Sequence, residues 1–325
     1  MTAVLRSVFL GACLNLAMPV GAREAVRDQA ADAAAPRLPE EVSSCAECHP
    51  ETYAEWKASM HHGSWTSSLV QERLHRLKQD EASCAGCHAA RLEFDGKGGV
   101  SRKARPSGRE LGVSCRTCHC TADCIILGPR DPGLAKGGPG RSSVVAEAKA
   151  EALCRTCHEA TQKSFDGRPT AMREKSCIDC HMPVAARAEA GAARPASQGD
   201  AITRRRHTFR GGHDADFVAG ALRVTVAPDG AVSVVNVGAG HAIPFAPVRT
   251  LFVTMTARDD SGEILATERA EIGSKNPILA GAAWSGQSPM PKGTASVTAR
   301  ITYRLVDYQP EAEHMAVATV ERRVR

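Results

Sequence analysis

The first apolar run lies at the N-terminus. Val8 to Val20 carries no charge, follows Arg6, and ends at the small-residue site Val20-Gly21-Ala22. Residues 1–22 therefore read as an export signal peptide rather than a buried helix. A lipoprotein reading stays open beside it, because Leu10-Gly11-Ala12-Cys13 is shaped like a lipobox. Against it, the apolar stretch before Cys13 is short and carries on past it. Residues 23–38, rich in Ala, Asp and Arg with Pro36, read as a flexible leader. Helical periodicity begins after that. Pro50 suits the first position of a helix, and Tyr53, Trp56 and Met60 follow at helical spacing up to His61-His62. Ser68-Leu69-Val70-Gln71 fits a capping box, and Val70, Leu74 and Leu77 give the following helix an apolar stripe. Residues 95–109, with their Gly, Lys and Arg, read as loop. Gly128 to Arg141 is a Gly/Pro-rich loop. A helix from about Ser143 leads into Cys154. Residues 184–203, Ala-rich with Gly and Pro, read as a linker or a loose helix.

The period then changes from helical to two. Leu222, Val224 and Val226 alternate, Pro228-Asp229-Gly230 turns, and Val232, Val234 and Asn236-Val237 continue. That is a β-hairpin signature. Leu251, Val253 and Met255 alternate next, Asp259-Asp260-Ser261-Gly262 turns, and Ile264 to Thr267 returns. Further strands are expected at 295–305 and 314–323. Six or seven short strands predict an immunoglobulin-like antiparallel β-sandwich. It lacks the immunoglobulin Cys pair, since no Cys follows Cys180. The fold class expected is α+β: a mainly α, loop-rich domain over 39–183, a linker over 184–206 and the β-sandwich over 207–325.

Composition sharpens this picture at two points. Of 325 residues only 4% are aromatic, while 13 are cysteine. Hydrophobic and charged fractions are ordinary for a globular chain. Past the N-terminus no apolar run reaches the length of a membrane span, so membrane attachment is expected only if Cys13 is lipidated. The formal charge is +5; removing Arg6 with residues 1–22 leaves 40 basic against 36 acidic residues, or +4. This is no nucleic-acid footprint.

Ten of the cysteines belong to one repeated pattern. Cys45–Cys48–His49, Cys84–Cys87–His88, Cys115–Cys118–His119, Cys154–Cys157–His158 and Cys177–Cys180–His181 are all CxxCH, the attachment signature of c-type haem. Cysteines at i and i+3 share one face of a helical turn, so both thiols reach the vinyl groups of one porphyrin. The His at i+4 stays on that face and can ligate the iron. Structural disulfides fit poorly, because CxxC loops are tight. Zinc ribbons use CxxC in pairs that share a metal, whereas here there are five motifs, each with its own His. Five covalent haems c are expected. At about one motif per thirty residues the polypeptide is too sparse to build a large core, so the porphyrins should supply most of the buried apolar surface. Each would add two carboxylates, for some of which the Lys and Arg of this region are partners. A short likeness between Cys84–Gly96 and Cys154–Gly167, each ending Phe-Asp-Gly, leaves a duplication open.

These residues carry a resemblance. Cys45-x-x-Cys48-His49-Pro50 followed by Tyr53, Trp56, Ser59 and His61 resembles the opening of the multihaem cytochromes of the c-552/c-554 type. Gly112-Val113-Ser114 before the third motif and Met182-Pro183 after the fifth are similar to those cytochromes too. So are His207-Thr208-Phe209-Arg210-Gly211-Gly212 and Asn236 to Pro244, which look like segments of exported relatives with a C-terminal β-domain. The resemblance spans about 40–270. It implies that His61, His207 and His241 are distal haem ligands. Cys120-Thr121-Ala122-Asp123-Cys124 departs from it, where relatives usually have Gly and Pro.

A haem with two protein ligands transfers electrons, whereas one with an open position binds a substrate. Seven histidines lie outside the motifs: His61, His62, His75, His207, His213, His241 and His314. His61 and His207 lead as second ligands. His241 follows, on a Gly-rich turn where backbone can approach a porphyrin. His75, on a helix before the second motif, and His213 are the next candidates. His314 is expected in solvent, and Met60, Met172 and Met182 are weaker ligands. For Cys120 and Cys124 a disulfide, a reactive thiol or thiolate ligand, and inert packing stay open. Arg204-Arg205-Arg206 reads as a solvated linker, with a docking or propionate-pairing patch as the alternative. The function expected is electron transfer between redox-partner proteins, a donor and an acceptor, through mostly bis-His haems in the periplasm or outside the cell. The rivals are an oxidoreductase for a small nitrogen or sulfur species at one five-coordinate haem, and a structural subunit of a cytochrome filament.

Overall fold

Short helices, broken where the motifs need a turn, build the first half of the chain. The computed structural model describes residues 43–78, 80–94, 99–120, 126–128, 142–144, 147–187, 202–246 and 248–324. The signal peptide, Cys13, the leader, Cys124 and the middle of the linker lie outside the described residues. The helices are α1 (Ser43–Cys48), α2 (Pro50–Lys57), α3 (Ser68–Leu77), α4 (Glu81–His88), α5 (Cys115–His119), α6 (Glu147–Cys157), α7 (Glu159–Asp166), α8 (Cys177–His181) and α9 (Ala215–Ala221). Every CxxC lies in a helical turn. His49 and His158 fall at breaks between two helices, whereas His88, His119 and His181 end theirs. α5 and α8 open on short polar locks: the Ser114 amide donates to Thr117 Oγ1 at 3.1 Å, and the Ser176 amide to the Asp179 carboxylate at 2.8 Å.

Several local expectations are corrected. Val100–Ala104 is a strand, not loop. The first hairpin pairs β1 (Ala90–Phe94) with β2 (Val100–Ala104) in antiparallel register. β2 is mostly exposed and charged, so hydrophobic alternation gave no sign of it. β3 (Ile126–Gly128) and β4 (Ser142–Val144) pair in parallel, so the helix before Cys154 starts at Glu147 rather than near Ser143. Gln71 does not close a capping box; its Nε2 donates to the Trp65 carbonyl at 2.6 Å. Leu77 on the expected apolar stripe is exposed. The two ends of the Ala-rich stretch pair as β5 (Val184–Arg187) and β6 (Ile202–Arg205), a contact that short polar segments do not announce. Phe94 lies on a strand and Phe165 on a helix, so the likeness of their segments does not extend to structure.

The second half follows the period-two pattern closely. Its strands are β7 (Leu222–Val226), β8 (Ala231–Asn236), β9 (Thr250–Arg258), β10 (Ile264–Ile272), β11 (Ala283–Gln287), β12 (Ser296–Arg304) and β13 (Met315–Arg323). They form two antiparallel sheets, ordered β10-β9-β12-β13 and β11-β8-β7. One apolar cluster joins both sheets: Val226, Val232 and Val234 meet Leu251, Val253, Met255, Val297 and Ile301. The molecule is thus α+β. β11 escaped the sequence reading because Trp284 and Gly286 break its alternation. His314 is half-buried rather than in solvent, stacked on Phe252 with ring centres 5.0 Å apart.

One buried polar residue ties this core to the loop after it. Asn236 is fully buried at the end of β8. Its Nδ2 donates to the His241 carbonyl at 2.8 Å and to that of Ile278 at 3.3 Å, and its Oδ1 accepts from the Ala239 amide at 3.0 Å. Replacing it strands those backbone groups without water. Asn236→Ala is expected to cost about 2–4 kcal/mol, read as a lowered denaturant midpoint of the purified protein; an unchanged midpoint would show that the 236–241 turn holds without it.

Candidate haem-binding site

The motif cysteines of different helices converge. Cys45 hydrogen-bonds Cys115, and Cys87 hydrogen-bonds Cys157. Within each pair one thiol accepts and its partner donates. Cys45 and Cys87 are each drawn down to about 6 by that bond, while burial and the same bond push Cys115 and Cys157 up. The first motif is thereby brought against the third, and the second against the fourth. As thioethers these sulfurs no longer titrate. Cys84, Cys118, Cys154, Cys177 and Cys180 are half-buried in the same region. Cys48 closes α1, with its side chain outside the described set.

The histidines stand in facing pairs. His158, from the fourth motif, has its ring centre 6.4 Å from that of His61. His119, from the third, lies 6.1 Å from His207. His181, from the fifth, lies 6.4 Å from His241, the two rings within 13° of parallel. Metal–imidazole bonds are about 2 Å long, so two imidazoles sharing one metal from opposite sides have ring centres roughly 6 Å apart. The spacing of all three pairs is that of two axial ligands.

The other ring nitrogen decides whether such a ligand is ready. His181 Nδ1 lies 2.6 Å from the Arg210 carbonyl, His207 Nδ1 3.1 Å from that of Arg205, and His241 Nδ1 3.0 Å from that of Ala242. In the second motif His88 Nδ1 lies 2.9 Å from the Ser64 carbonyl. A carbonyl can only accept, so Nδ1 carries the proton and Nε2 keeps its lone pair for a metal. Burial pushes His61 down to about 3, helped by the neighbouring His158 and His181. Burial lowers His241 as well. Both are neutral at ordinary pH, as a metal requires. His49 differs, with Nδ1 3.3 Å from the Arg204 guanidinium.

Distant segments deliver these rings. His207 is steered by α2, where the Glu55 carboxylate accepts from its amide at 2.8 Å. Phe209, held at φ +46°, lays its ring 4.1 Å from His61 and 5.6 Å from His207. His241 is carried by the β half, and the Ala242 amide donates to Ser164 Oγ on α7 at 2.8 Å. Ser64 ties the second motif to the third: its hydroxyl lies 2.7 Å from the carbonyls of His61 and His88 and accepts from the Val113 amide at 3.0 Å. Arg105 donates to Ser114 Oγ at 2.9 Å, ahead of Cys115. Glu55, Phe209, Ser64 and Arg105 were not foreseen; none stands in a metal-ligating pattern, and only Phe209 lies in a quoted motif.

The remaining candidates are spread out. His75 is exposed on α3. His62 stands edge-on to Trp56, ring centres 4.6 Å apart. His213 is half-buried and lines a cavity of about 600 Å³ with Ala54, Glu55, Ala58 and Thr208. His49 and His88 stand outside the three facing pairs. The donor set fits haem c: thiols on helical turns, a His after each pair, and second imidazoles at axial spacing.

The comparisons agree with this chemistry. Residues 44–120 match the family described as cytochrome c554 and c-prime. No curated protein matches the chain. The penta-heme cytochrome c552 from Thermochromatium tepidum shares the fold at a TM-score of 0.61, over 86% of this chain and 97% of that one, with 19% identity. A match to an endonuclease/exonuclease/phosphatase from Beutenbergia cavernae, at 13% identity over 31% of this chain and 22% of that one, has a TM-score of 0.15 and carries no argument. Residues 44–120 thus carry the sequence of a c-type cytochrome family, and the chain shares the fold of a penta-heme cytochrome. Together with the CxxCH motifs, these likenesses support covalent haem c as the cofactor.

Gly112 is the backbone joint of the site. It sits at φ +58°, and a Cβ there would run into the carbonyls of His61 and His62. Gly112→Ala is therefore expected to cost more than about 1 kcal/mol and to lower haem attachment at Cys115 and Cys118, measured by mass spectrometry of the haem-bearing peptides. Full attachment at wild-type stability would show that the loop adjusts freely.

Proposed function

We propose that the chain carries five haems c, one on each CxxCH, and passes electrons between a donor and an acceptor protein outside the cytoplasm. The observation that carries this reading is the set of three imidazole pairs at axial spacing. His61 would complete the haem of the fourth motif, His207 that of the third and His241 that of the fifth. An iron held on both sides by imidazole has no position for substrate, which favours electron carriage, and bis-His ligation favours low potentials. The haem supplies the one-electron couple; the chain's residues set spacing, axial ligation and local charge. Export through residues 1–22 fits, because c-type haem is joined to its protein outside the cytoplasm. The periplasm or the cell exterior is the expected place, with Cys13 as an anchor if it is lipidated.

The strand order of the β half supports reading it as an immunoglobulin-like sandwich. Numbered from β7, its strands one, two and five form one sheet, and three, four, six and seven the other. In this reading the sandwich is a scaffold that presents His241.

A second reading is kept because His49 and His88 stand outside the three pairs and His75 is exposed. One of these haems would then be five-coordinate and act on a small nitrogen or sulfur species.

The test is the mature chain matured in a cytochrome c-producing host. Its intact mass is expected to exceed the polypeptide by five haems, and its resting EPR spectrum to contain at least three low-spin bis-ligated irons. His61→Ala, His207→Ala and His241→Ala should each turn one low-spin iron high-spin. Fewer haems, or variants that leave the low-spin count unchanged, would overturn the assignment; cyanide binding to one wild-type haem with turnover of nitrite or hydroxylamine would favour the second reading.

A further inference from the structure

Arg249 is a charge that the ligand assignments leave unused. It lies between the cis-proline segment after His241 and the start of β9. Its guanidinium lies against Gly212, where a Cβ would occupy its place. Gly212 also lies against the Tyr303 ring, and Tyr303, 2% exposed, hydrogen-bonds Arg249 through its hydroxyl. Next to it in the chain, Gly211 packs against the His213 ring. The positive charge of Arg249 is felt at His158, His213 and His241. Geometry ties this seat to the His181–His241 pair: Tyr303 also bonds the backbone of Phe245, whose ring centre is 6.2 Å from that of His241, and the Arg210 carbonyl, two residues before Gly212, lies 2.6 Å from His181 Nδ1.

No carboxylate is within ion-pair distance of Arg249 among the described residues. The other arginines nearby are paired: Arg210 with Asp214 at 2.6 Å, Arg205 with Asp179 at 3.0 Å. A half-buried guanidinium without a counter-charge is costly, because it has given up water for nothing of opposite sign. Tyr303 supplies only a neutral partner. A guanidinium presents a planar fork of donors that matches a carboxylate. The carboxylates that come with a haem are its propionates, two to each porphyrin.

We propose that Arg249, seated between Gly212 and Tyr303, is the ion-pair partner of a haem propionate between the positions marked by His158 and His241, and that its charge holds up the reduction potential of both haems. This rests on the haem assignment above. A fixed positive charge favours the ferrous over the ferric iron, since reduction adds a negative charge nearby. Removing it leaves a propionate uncompensated and shifts the balance further toward the ferric state.

The test is a redox titration of the haem-loaded mature chain followed by optical and EPR spectra. In Arg249→Gln the haems ligated by His158 and His241 should titrate at lower potential, with a roughly tenfold fall in the ratio of reduced to oxidised haem at their wild-type midpoints. The haem ligated by His119 should not move. Arg249→Lys should recover most of the shift. Gly212→Ala, which displaces the guanidinium without removing a ligand, should move the same two haems the same way, and it carries the test alone if Arg249→Gln fails to load haem. Wild-type potentials in a loaded Arg249→Gln or Gly212→Ala protein would overturn the proposal, as would an Arg249→Lys protein that falls as far as the Gln variant. Failure of the haem assignment would look different: the wild-type protein itself would lack the low-spin signals of the His61–His158 and His181–His241 pairs.

Discussion

Two imidazoles that share one iron must face each other about 6 Å apart with both Nε2 atoms inward. That geometry is more demanding than any single packing contact in this chain. On the proposed assignment the proximal member of each pair is placed locally, one residue after a CxxC turn. Its partner has to be delivered from far along the sequence. His61 comes from just after α2, His207 from the segment beyond β6, and His241 from the turn after β8. In the pairs of His119 and His181, a backbone carbonyl holds Nδ1 of His207 and of His241, so on that assignment what is delivered is an oriented ligand and not merely a side chain. Much of the polypeptide between the motifs can be understood as the framework for these deliveries.

The division of the core follows from this. In the motif-bearing half, the buried apolar residues of the described chain are few: Trp56, Ala85, Ala89, Ala90, Leu92, Phe165 and Ile178. The β half has a continuous cluster of Val, Leu, Ile and Met running through both sheets. A region with so little side-chain core depends on something else for burial, and covalent porphyrins are large flat apolar bodies. On the haem reading, folding there would be coupled to the cofactor, as in small metal-dependent domains. The β half needs no such help. It is therefore the rigid element from which a distal ligand can be held at fixed distance, and Asn236 is the link, fully buried in the sheet and bonded to the His241 carbonyl.

How much of this was legible depended on whether the signal was local. CxxCH reads directly, because covalent attachment demands its spacing. The W-x-x-S-x-H stretch and the GAGH turn led to His61 and His241, and the β strands from Leu222 onward announced themselves by alternation around one core. What failed to show were features set by non-local pairing. β2 is charged and exposed yet pairs with β1, and Val184–Arg187 finds Ile202–Arg205 across residues that look like a linker. β11 has Trp284 and Gly286 where a regular pattern would alternate. His314 was expected in solvent for its place far along the β half; Phe252 on β9, distant in sequence, stacks on it instead. Which His faces which His is also non-local, and the sequence alone left every pairing open.

Charge gives the last constraint. The polypeptide has a formal charge of +5, but on the five-haem reading ten propionates come with the cofactors and outnumber that excess. Arginines near the motifs are then available as counter-charges unless the polypeptide already occupies them. Their positions divide them. Arg105 spends its guanidinium on Ser114 ahead of the third motif, and Arg205 on Asp179 inside the fifth, so both stiffen attachment turns. Arg249 is different, because its protein partner is a neutral hydroxyl and its seat is a glycine. Stiffening a turn can be done by any well-placed donor, whereas a half-buried charge without a counter-ion among the described residues acts at a distance on the redox centres around it. The same residue type thus serves two ends here, decided by whether the polypeptide or the cofactor supplies the opposite charge.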